Sequence, residues 1–499
     1  MIRIAFGSLA AACLSASAAG QATGNEWVEY IRTDSMLGPS ATAISNGATE
    51  VDFDFADLDK DGWTDLVVVR KEPVTTAGKR TNILLMNENG VLQDRTALFA
   101  TASLSAGDQG FLTPTNDRDV VIADLDNDTW LDLVTATTLS DGDSKRIGHP
   151  RIYMNLGNDA GGNWQGFRHE DARIPQLLVS GNPANPRFCS VAARDITGDG
   201  FVDLYFGDYD SGPQPHPDMN DRLLVNAGAA NPGFFTDQSN TRMTLQMLES
   251  AFGMAAVIED MNLDGVLDIV KDSALNAPQR VSVSLNDPDN EGFFDLFTVA
   301  ATNQPYHVNV GDLNNDGLPD MVVTDDAQDF IQYNTGSDIF GRPIWSSDLT
   351  FQFAGGGMDD GFGGNNYIVD LDNDGWNDII IADVDVDIAG CGRRTHIYHN
   401  PGGAVGSQIR PVEERASNSS WLGVVGMGDN DLEGTHDVAV FDIDRDGGLD
   451  MVFGRCTGTF VWRQDFEVPP SGGLGDLGGS TLPSTPPRRG KGTAGRFGF

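Results

Sequence analysis

The sequence predicts an all-β protein, a seven-bladed β-propeller in which an acidic loop joins the first and second strands of each blade. Three observations predict it. A nine-residue pattern, Asp-x-Asp/Asn/Thr-x-Asp-Gly-x-x-Asp followed by an apolar run, occurs seven times. Every copy occupies the same place in a longer unit, with an apolar or alternating segment before it and further strand-like segments after it. The copies lie 52 to 72 residues apart, about 64 on average, which is the length of a supersecondary unit and too long for a solenoid coil.

The elements follow in order. The segments leading into the loops are VDFDFA at Val51, VVIA at Val120, SVAAR at Ser190, AAVIE at Ala255, HVNVG at His307, YIV at Tyr367 and DVAVF at Asp437. The loops begin at Asp57, Asp124, Asp195, Asp260, Asp312, Asp370 and Asp442, and each runs into a second apolar segment. A third segment ends in Asn in six units, at Asn87, Asn155, Asn226, Asn286, Asn334 and Asn400, whereas the seventh has FVW at Trp462. Gly and an aromatic segment follow in several units, as at Gly166, Gly233 and Gly292. Four short strands with Gly/Asn turns, repeated seven times, are the pattern of propeller blades. The seventh unit offers only two strands after its loop, so Trp27–Ile31 is expected to supply its fourth strand and close the ring.

Each loop sets oxygen donors around one point. Positions 1, 3, 5 and 9 carry carboxylate, amide or hydroxyl oxygens, position 7 adds a backbone carbonyl, and Gly at position 6 permits the left-handed turn that wraps them. The expected ligands are Asp57, Asp59, Asp61 and Asp65; Asp124, Asp126, Asp128 and Asp132; Asp195, Thr197, Asp199 and Asp203; Asp260, Asn262, Asp264 and Asp268. They continue with Asp312, Asn314, Asp316 and Asp320; Asp370, Asp372, Asp374 and Asp378; and Asp442, Asp444, Asp446 and Asp450. An all-oxygen, flexible set selects Ca²⁺, up to seven ions in a structural role. An EF-hand would need a carboxylate at loop position 12, where this chain has Val68, Thr135, Phe206, Lys271, Val323, Ile381 and Phe453. Thr197, Asn262 and Asn314 lower the charge of three sites, and Thr129 replaces the glycine of the second, where a strained or shifted turn is expected. Those four sites are expected to bind more weakly.

Charge and composition agree. The chain has 499 residues, 73 acidic and 32 basic, for a net charge of −41, with 40% apolar residues. The apolar content is enough for cores, and the acidity excludes nucleic acid as a natural partner. The loops hold 25 of the aspartates, and seven Ca²⁺ ions would reduce the formal charge to −27.

Residues 1–20 read as a secretory signal, with Arg3, a short apolar run and small residues near Ala18 and Gly20. The propeller is expected over 21–465 and a Gly/Pro/Ser-rich disordered tail, with no transmembrane helix, over 466–499. Cys189, Cys391 and Cys456 remain after cleavage, too few and too scattered for a zinc site or a disulfide framework, so at most one bridge forms.

These units resemble FG-GAP/VCBS repeats, the calcium-loop blades of integrin α-subunit heads and of many secreted bacterial proteins, over about residues 51–463. In that family the loop joins the innermost and second strands, as read above. The resemblance implies a secreted, extracellular or cell-surface propeller, with the periplasm also open, acting as a binding or adhesion module for a protein or glycan. Some members of the superfamily are polysaccharide lyases, so a carbohydrate-active enzyme or a lectin on the same scaffold is the alternative. No catalytic or cofactor-binding side chain is assigned: the chain has no HExxH and no GxSxG. His307 and His436, in segments expected to face the channel, and Trp63, Trp130 and Trp376, at loop position 7, are read as structural repeat positions, with acid/base chemistry and sugar stacking as their alternative roles.

Overall fold

The computed structural model describes residues 27–39, 50–73, 76–140, 142–209, 219–248, 255–274, 278–326, 328–351, 364–382, 393–413, 424, 426–465 and 488–489. The expected signal segment and nearly all of the expected tail lie outside these. Seven sheets of four or five strands follow one another along the chain, antiparallel except where Ala102–Ser103 joins the second blade parallel to Phe167–His169, forming a seven-bladed propeller.

Blade 1 shows the pattern. Its innermost strand Glu50–Ala56 pairs with Asp65–Lys71, this with Ile83–Asn87, and the last with Leu92–Asp94. The acidic loop is the hairpin between the first two strands, with Ala56 opposite Asp65. The innermost strands of blades 2 to 7 are Asp117–Ala123, Phe188–Arg194, Ala256–Glu259, Pro305–Gly311, Asn366–Val369 and Thr435–Phe441. Blade 5 departs from the simple unit: a small hairpin, Asn334–Ser337 with Pro343–Trp345, intervenes before its outer strand Leu349–Thr350. In blade 7, Tyr30–Arg32 pairs antiparallel with Gly458–Gln464, Tyr30 lying opposite Gln464.

The middle strands are buried along nearly their whole length because both faces of each blade are covered by neighbours. Seven hydrophobic cores result, one in each gap between adjacent blades. The gap between blades 7 and 1 joins Phe441 and Val452 to Phe53 and Leu66. Val28 and Tyr30 enter the core between blades 6 and 7.

The two faces of the disc differ. One carries the seven nine-residue loops. The other carries the described parts of the connections between second and third strands, among them residues 76–82 and 142–150, together with described parts of the linkers from one blade to the next. No helix among the described residues is long and apolar enough to cross a membrane.

Candidate metal centres

The loops are built the same way in all seven blades. The position 1 aspartate accepts the N–H of residue 6 at 2.8–3.0 Å. The position 5 aspartate accepts the N–H of residue 7 at 2.8–3.1 Å. Positions 4 and 6 have positive φ throughout, which is why glycine stands at position 6 in six loops. Thr129 fills that place in the second loop at φ 74°, so the turn is kept and the threonine carries the strain.

Position 9 is the keystone. Asp65 is 1% exposed and starts the second strand; one oxygen accepts the N–H of Leu58 at 3.0 Å and the other that of Asn87 at 2.8 Å. Asp132, Asp203, Asp268, Asp320, Asp378 and Asp450 repeat this arrangement, each tying position 2 of the loop to the end of the third strand.

The third-strand asparagines join blade to blade. Their side-chain amides donate to the position 2 carbonyl of the preceding blade's loop: Asn87 to Ile443, Asn155 to Leu58, Asn226 to Leu125, Asn286 to Ile196, Asn334 to Met261 and Asn400 to Leu313, at 2.8–2.9 Å. Blade 7, whose third segment has Trp462 where the pattern called for asparagine, makes the same bond two residues later: Gln464 donates to Leu371 at 2.7 Å. The acidic loops are thereby part of the inter-blade framework.

Carboxylate oxygens converge within 4.8 Å of one another in four loops, through Asp57, Asp59 and Asp61; Asp124, Asp126 and Asp132; Asp370, Asp372 and Asp378; and Asp442, Asp444 and Asp450. The second loop belongs to this group because Thr129 did not displace it. In the other three, position 3 is uncharged: Asn262 donates to Asp264 at 2.9 Å, Asn314 accepts the N–H of Asp316 at 3.1 Å, and Thr197 offers a hydroxyl.

These donors fit a hard cation on the structure's own terms. Asp57 Oδ1, Asp126 Oδ1 and Asp442 Oδ1 are buried carboxylate oxygens with no hydrogen-bond partner, and all three belong to position 1 or 3. A buried anionic oxygen without a partner is costly, and a cation removes the cost. Burial pushes the carboxyls of Asp59 and Asp372 up to about 6, and neighbouring carboxylates add to it. Burial likewise pushes Asp65, Asp268 and Asp320 up to about 8 against their backbone hydrogen bonds. A divalent ion favours the ionised forms and reverses this.

The sixth loop has a donor that sequence reading did not assign. His399, immediately before Asn400, brings a ring nitrogen to Asp372 and Asp374, with Nε2 3.6 Å from Asp372 Oδ2. Trp27 stacks on it at 4.3 Å between ring centroids. The position was readable only as the histidine in IYHN, one residue before the repeated asparagine.

Two of the position 7 tryptophans, Trp63 and Trp130, act between blades. Lys60 Nζ lies 4.1 Å over the Trp130 ring and the Arg445 guanidinium 4.0 Å over Trp63, so position 4 of one loop meets position 7 of the next. His436 lies at a β-bulge between Thr435 and Asp437, with Nε2 3.1 Å from Cys456 Sγ, and His307 is buried in its strand. Cys456 is disulfide-bonded, and Cys189 is a buried free thiol.

The opposite face holds a cleft of about 410 Å³ between blades 1 and 2, lined by Lys79, Gly107, Gln109, Leu112, Thr113, Pro114, Asp143, Arg146 and Ile147. Lys79 reaches across it to Asp143 at 3.1 Å. Beneath it, Arg146 and the buried Arg151 converge on Asp108 at 2.8 and 3.0 Å.

Fold and loops together define a repeat propeller with acidic hairpin loops. The family model of the FG-GAP-like repeat matches residues 260–323 and 312–381, and the chain carries FG-GAP-like repeats. A comparison with curated proteins finds no match. Among solved structures, the chain is similar to an Agrocybe aegerita lectin described as recognising non-reducing terminal N-acetylglucosamine, at 16% identity and TM-score 0.42 over 73% of this chain and 80% of that one. It is also similar to the V. cholerae biofilm matrix protein Bap1, at 12% identity and TM-score 0.40 over 88% and 92% of the two chains. The Photorhabdus luminescens Tc holotoxin pore matches at 14% identity and TM-score 0.37, over 84% of this chain and 17% of that one.

Proposed function

We propose that the chain is a secreted or cell-surface binding module, a propeller held rigid by calcium on one face and presenting a recognition surface for a glycan or protein on the other. The observation that carries this reading is the asymmetry of the faces. One is seven short loops whose aspartates are committed to turn geometry, three of them leaving a buried carboxylate oxygen without a partner. The opposite face carries long connections and a polar cleft, the usual division between a scaffold and its functional loops. Calcium bound by the aspartates at positions 1, 3, 5 and 9 would supply the positive charge that keeps each hairpin closed. The disulfide at Cys456 suits an oxidising compartment, as does the leader-like segment 1–20.

The cleft favours a carbohydrate over an apolar peptide. Lys79, Gln109, Thr113, Asp143 and Arg146 offer donors and acceptors for hydroxyl groups, while Leu112, Pro114 and Ile147 offer a small apolar surface. A glycan array probed with the calcium-loaded protein and with Lys79→Ala and Gln109→Ala variants tests this. Binding that drops at least tenfold in both variants supports the reading. Binding unchanged in both, or turnover of a polyanionic polysaccharide in a lyase assay, overturns it in favour of another surface or of the enzyme alternative.

A further inference from the structure

One register of the third strand sets blades 6 and 7 apart from the other five. It lies immediately before the residue whose N–H meets the position 9 aspartate, a bond that Asn400 makes to Asp378 and Gln464 to Asp450, both at 2.8 Å. In blades 1 to 5 it holds Met86, Met154, Val225, Leu285 and Tyr333, all at most 5% exposed. Blade 6 has His399 there and blade 7 has Arg463. Both turn a nitrogen toward positions 3 and 5 of their own blade's loop.

In blade 7 that nitrogen belongs to a permanent cation. Arg463 Nη1 lies 2.9 Å from Asp446 Oδ2 and 3.7 Å from Asp444 Oδ2. In blade 6 a ring nitrogen of His399 and carboxylate oxygens of Asp372 and Asp374 lie within 4.8 Å of one another, with Nε2 3.6 Å from Asp372 Oδ2. That separation is too long for a hydrogen bond. It suits two atoms bound to a shared ion, because ligands about 2.1 Å from one tetrahedral centre stand about 3–4 Å apart. Trp27 stacks on the imidazole, centroids 4.3 Å apart and planes within 11°, which fixes the plane of the ring. The side chains of His399 and Asp372 are 12% and 17% exposed, so an ion can enter from solvent and still be sheltered.

Charge and ligand chemistry point the same way. The sixth and seventh loops each carry four aspartates. Calcium, as proposed above, offsets two charges in each, and Arg463 offsets a third in the seventh. An imidazole that ligates through its nitrogen is uncharged and offsets none in the sixth. Ca²⁺ and Mg²⁺ prefer oxygen donors, whereas imidazole with two carboxylates, completed by water, suits Zn²⁺ and related ions. Asp372 belongs both to this group and to the loop's own group with Asp370 and Asp378, so its two oxygens can serve two neighbouring ions.

We propose that Asp372, Asp374 and His399 form a site for a divalent transition ion of the zinc class, adjacent to the calcium position of the sixth loop and in the place that Arg463 fills in blade 7. The site rests on the calcium reading for its neighbour and on His399 for its selectivity.

Calorimetric titration of the full chain with Zn²⁺, run in saturating calcium and again without it, tests this. The wild type should take up one Zn²⁺ through this site under both conditions. His399→Arg copies blade 7 and keeps a cation beside Asp372 and Asp374, so it should retain calcium binding and weaken this zinc binding by about tenfold or more, as should His399→Gln. No zinc uptake by the wild type overturns the proposal and leaves His399 as an ion-pair partner of Asp372. Zinc binding undiminished in His399→Arg overturns it, and so does zinc released one for one as calcium is added, since both ions would then be using a single set of ligands. A chain that binds zinc through His399 but takes up no calcium keeps this site and loses the structural role proposed for calcium.

Discussion

The side-chain amide of Gln464 donates to the carbonyl of Leu371 at 2.7 Å, while its own carbonyl accepts the N–H of Leu449 at 2.7 Å. Gln464 is 3% exposed, so Gln464→Ala would leave two backbone groups without a partner at the junction of blades 6 and 7. The expected loss is about 2–4 kcal/mol, from the ordinary cost of unsatisfied buried groups. Chemical denaturation measures it. A loss below about 0.5 kcal/mol, the range of an ordinary surface substitution, would show that the junction does not depend on this bond.

Thr129 is the β-branched residue forced into a left-handed turn, at φ 74° where six loops have glycine. Left-handed backbone costs an L-residue about 1–2 kcal/mol. The hydroxyl accepts an exposed bond from Lys60 at 2.8 Å, which returns little. Thr129→Gly should therefore raise stability by about 1 kcal/mol, read as a higher melting temperature in calcium; a lower one would mean that the Lys60 contact outweighs the strain.

Metal removal should separate the loops into classes. The four loops with converging carboxylates, those beginning at Asp57, Asp124, Asp370 and Asp442, are expected to bind calcium more tightly than the three with Thr197, Asn262 or Asn314 at position 3. Each site filled at a hundred times its Kd adds about 2.7 kcal/mol to stability, so EDTA should lower the melting temperature markedly. Calorimetric titration should resolve two classes, and Thr197→Asp should move one site from the weak class to the tight one. A melt indifferent to EDTA would falsify the structural role of calcium.

Much of this architecture was legible because the repeat marks it. The loop aspartates from Asp57 to Asp450 recur in one register, so strand order and loop placement could be read from spacing alone. What the pattern concealed were contacts between blades. Gln464 lies two residues beyond Trp462, at the position opposite Tyr30, and only the sheet shows that it replaces an asparagine. Of the two outcomes expected at the second loop, a strained or a shifted turn, the strained one is found at Thr129, because the strand pairing of Ala123 with Asp132 and the bond from Thr129 N–H to Asp124 hold the turn in place. His399 reaches the sixth loop through the fold of a neighbouring strand, which no spacing within the motif encodes. The carboxylates of Asp52, Asp119 and Asp437 read simply as polar positions in alternating strands; their partners are the backbone of the next blade, some 68 to 384 residues away.

Asp108 makes a pH-dependent contribution. Its side chain is fully buried with Arg151 and His169, Nη2 of Arg151 lying 3.0 and 3.1 Å from its two oxygens. Burial pushes the carboxyl up, but the hydrogen bonds from His169 and Arg151 and their charge outweigh it and hold the group well below the usual carboxylate range. A depressed folded-state pKa means stability that is present above the unfolded value, about 3.9, and lost as pH falls toward the folded one. Asp108→Asn should cost about 3–5 kcal/mol at pH 7, the cost of leaving Arg151 buried without its partner. The gap between wild type and variant should narrow below pH ~4; a gap constant from pH 7 to pH 3 would place the contribution elsewhere.

The N-terminal strand is expected to close the ring. Tyr30–Arg32 pairs with Gly458–Gln464, Thr33 N–H donates to Val461 at 2.8 Å, and Asp465 N–H donates to Glu29 at 2.8 Å. Tyr30 is 1% exposed, packs in the core between blades 6 and 7 and donates its hydroxyl to the Leu449 carbonyl at 3.1 Å. Without this strand, Gly458–Gln464 becomes a bare edge and the core of that gap opens to water. Tyr30→Ala should cost about 3–5 kcal/mol, in the range for a large buried aromatic side chain. Tyr30→Phe should cost about 1 kcal/mol, the hydroxyl bond alone. Deleting residues 21–35 should lower the melting temperature further than either substitution and increase self-association through the freed edge; a deletion variant that melts with the wild type and stays monomeric would show that the seventh blade is complete without it.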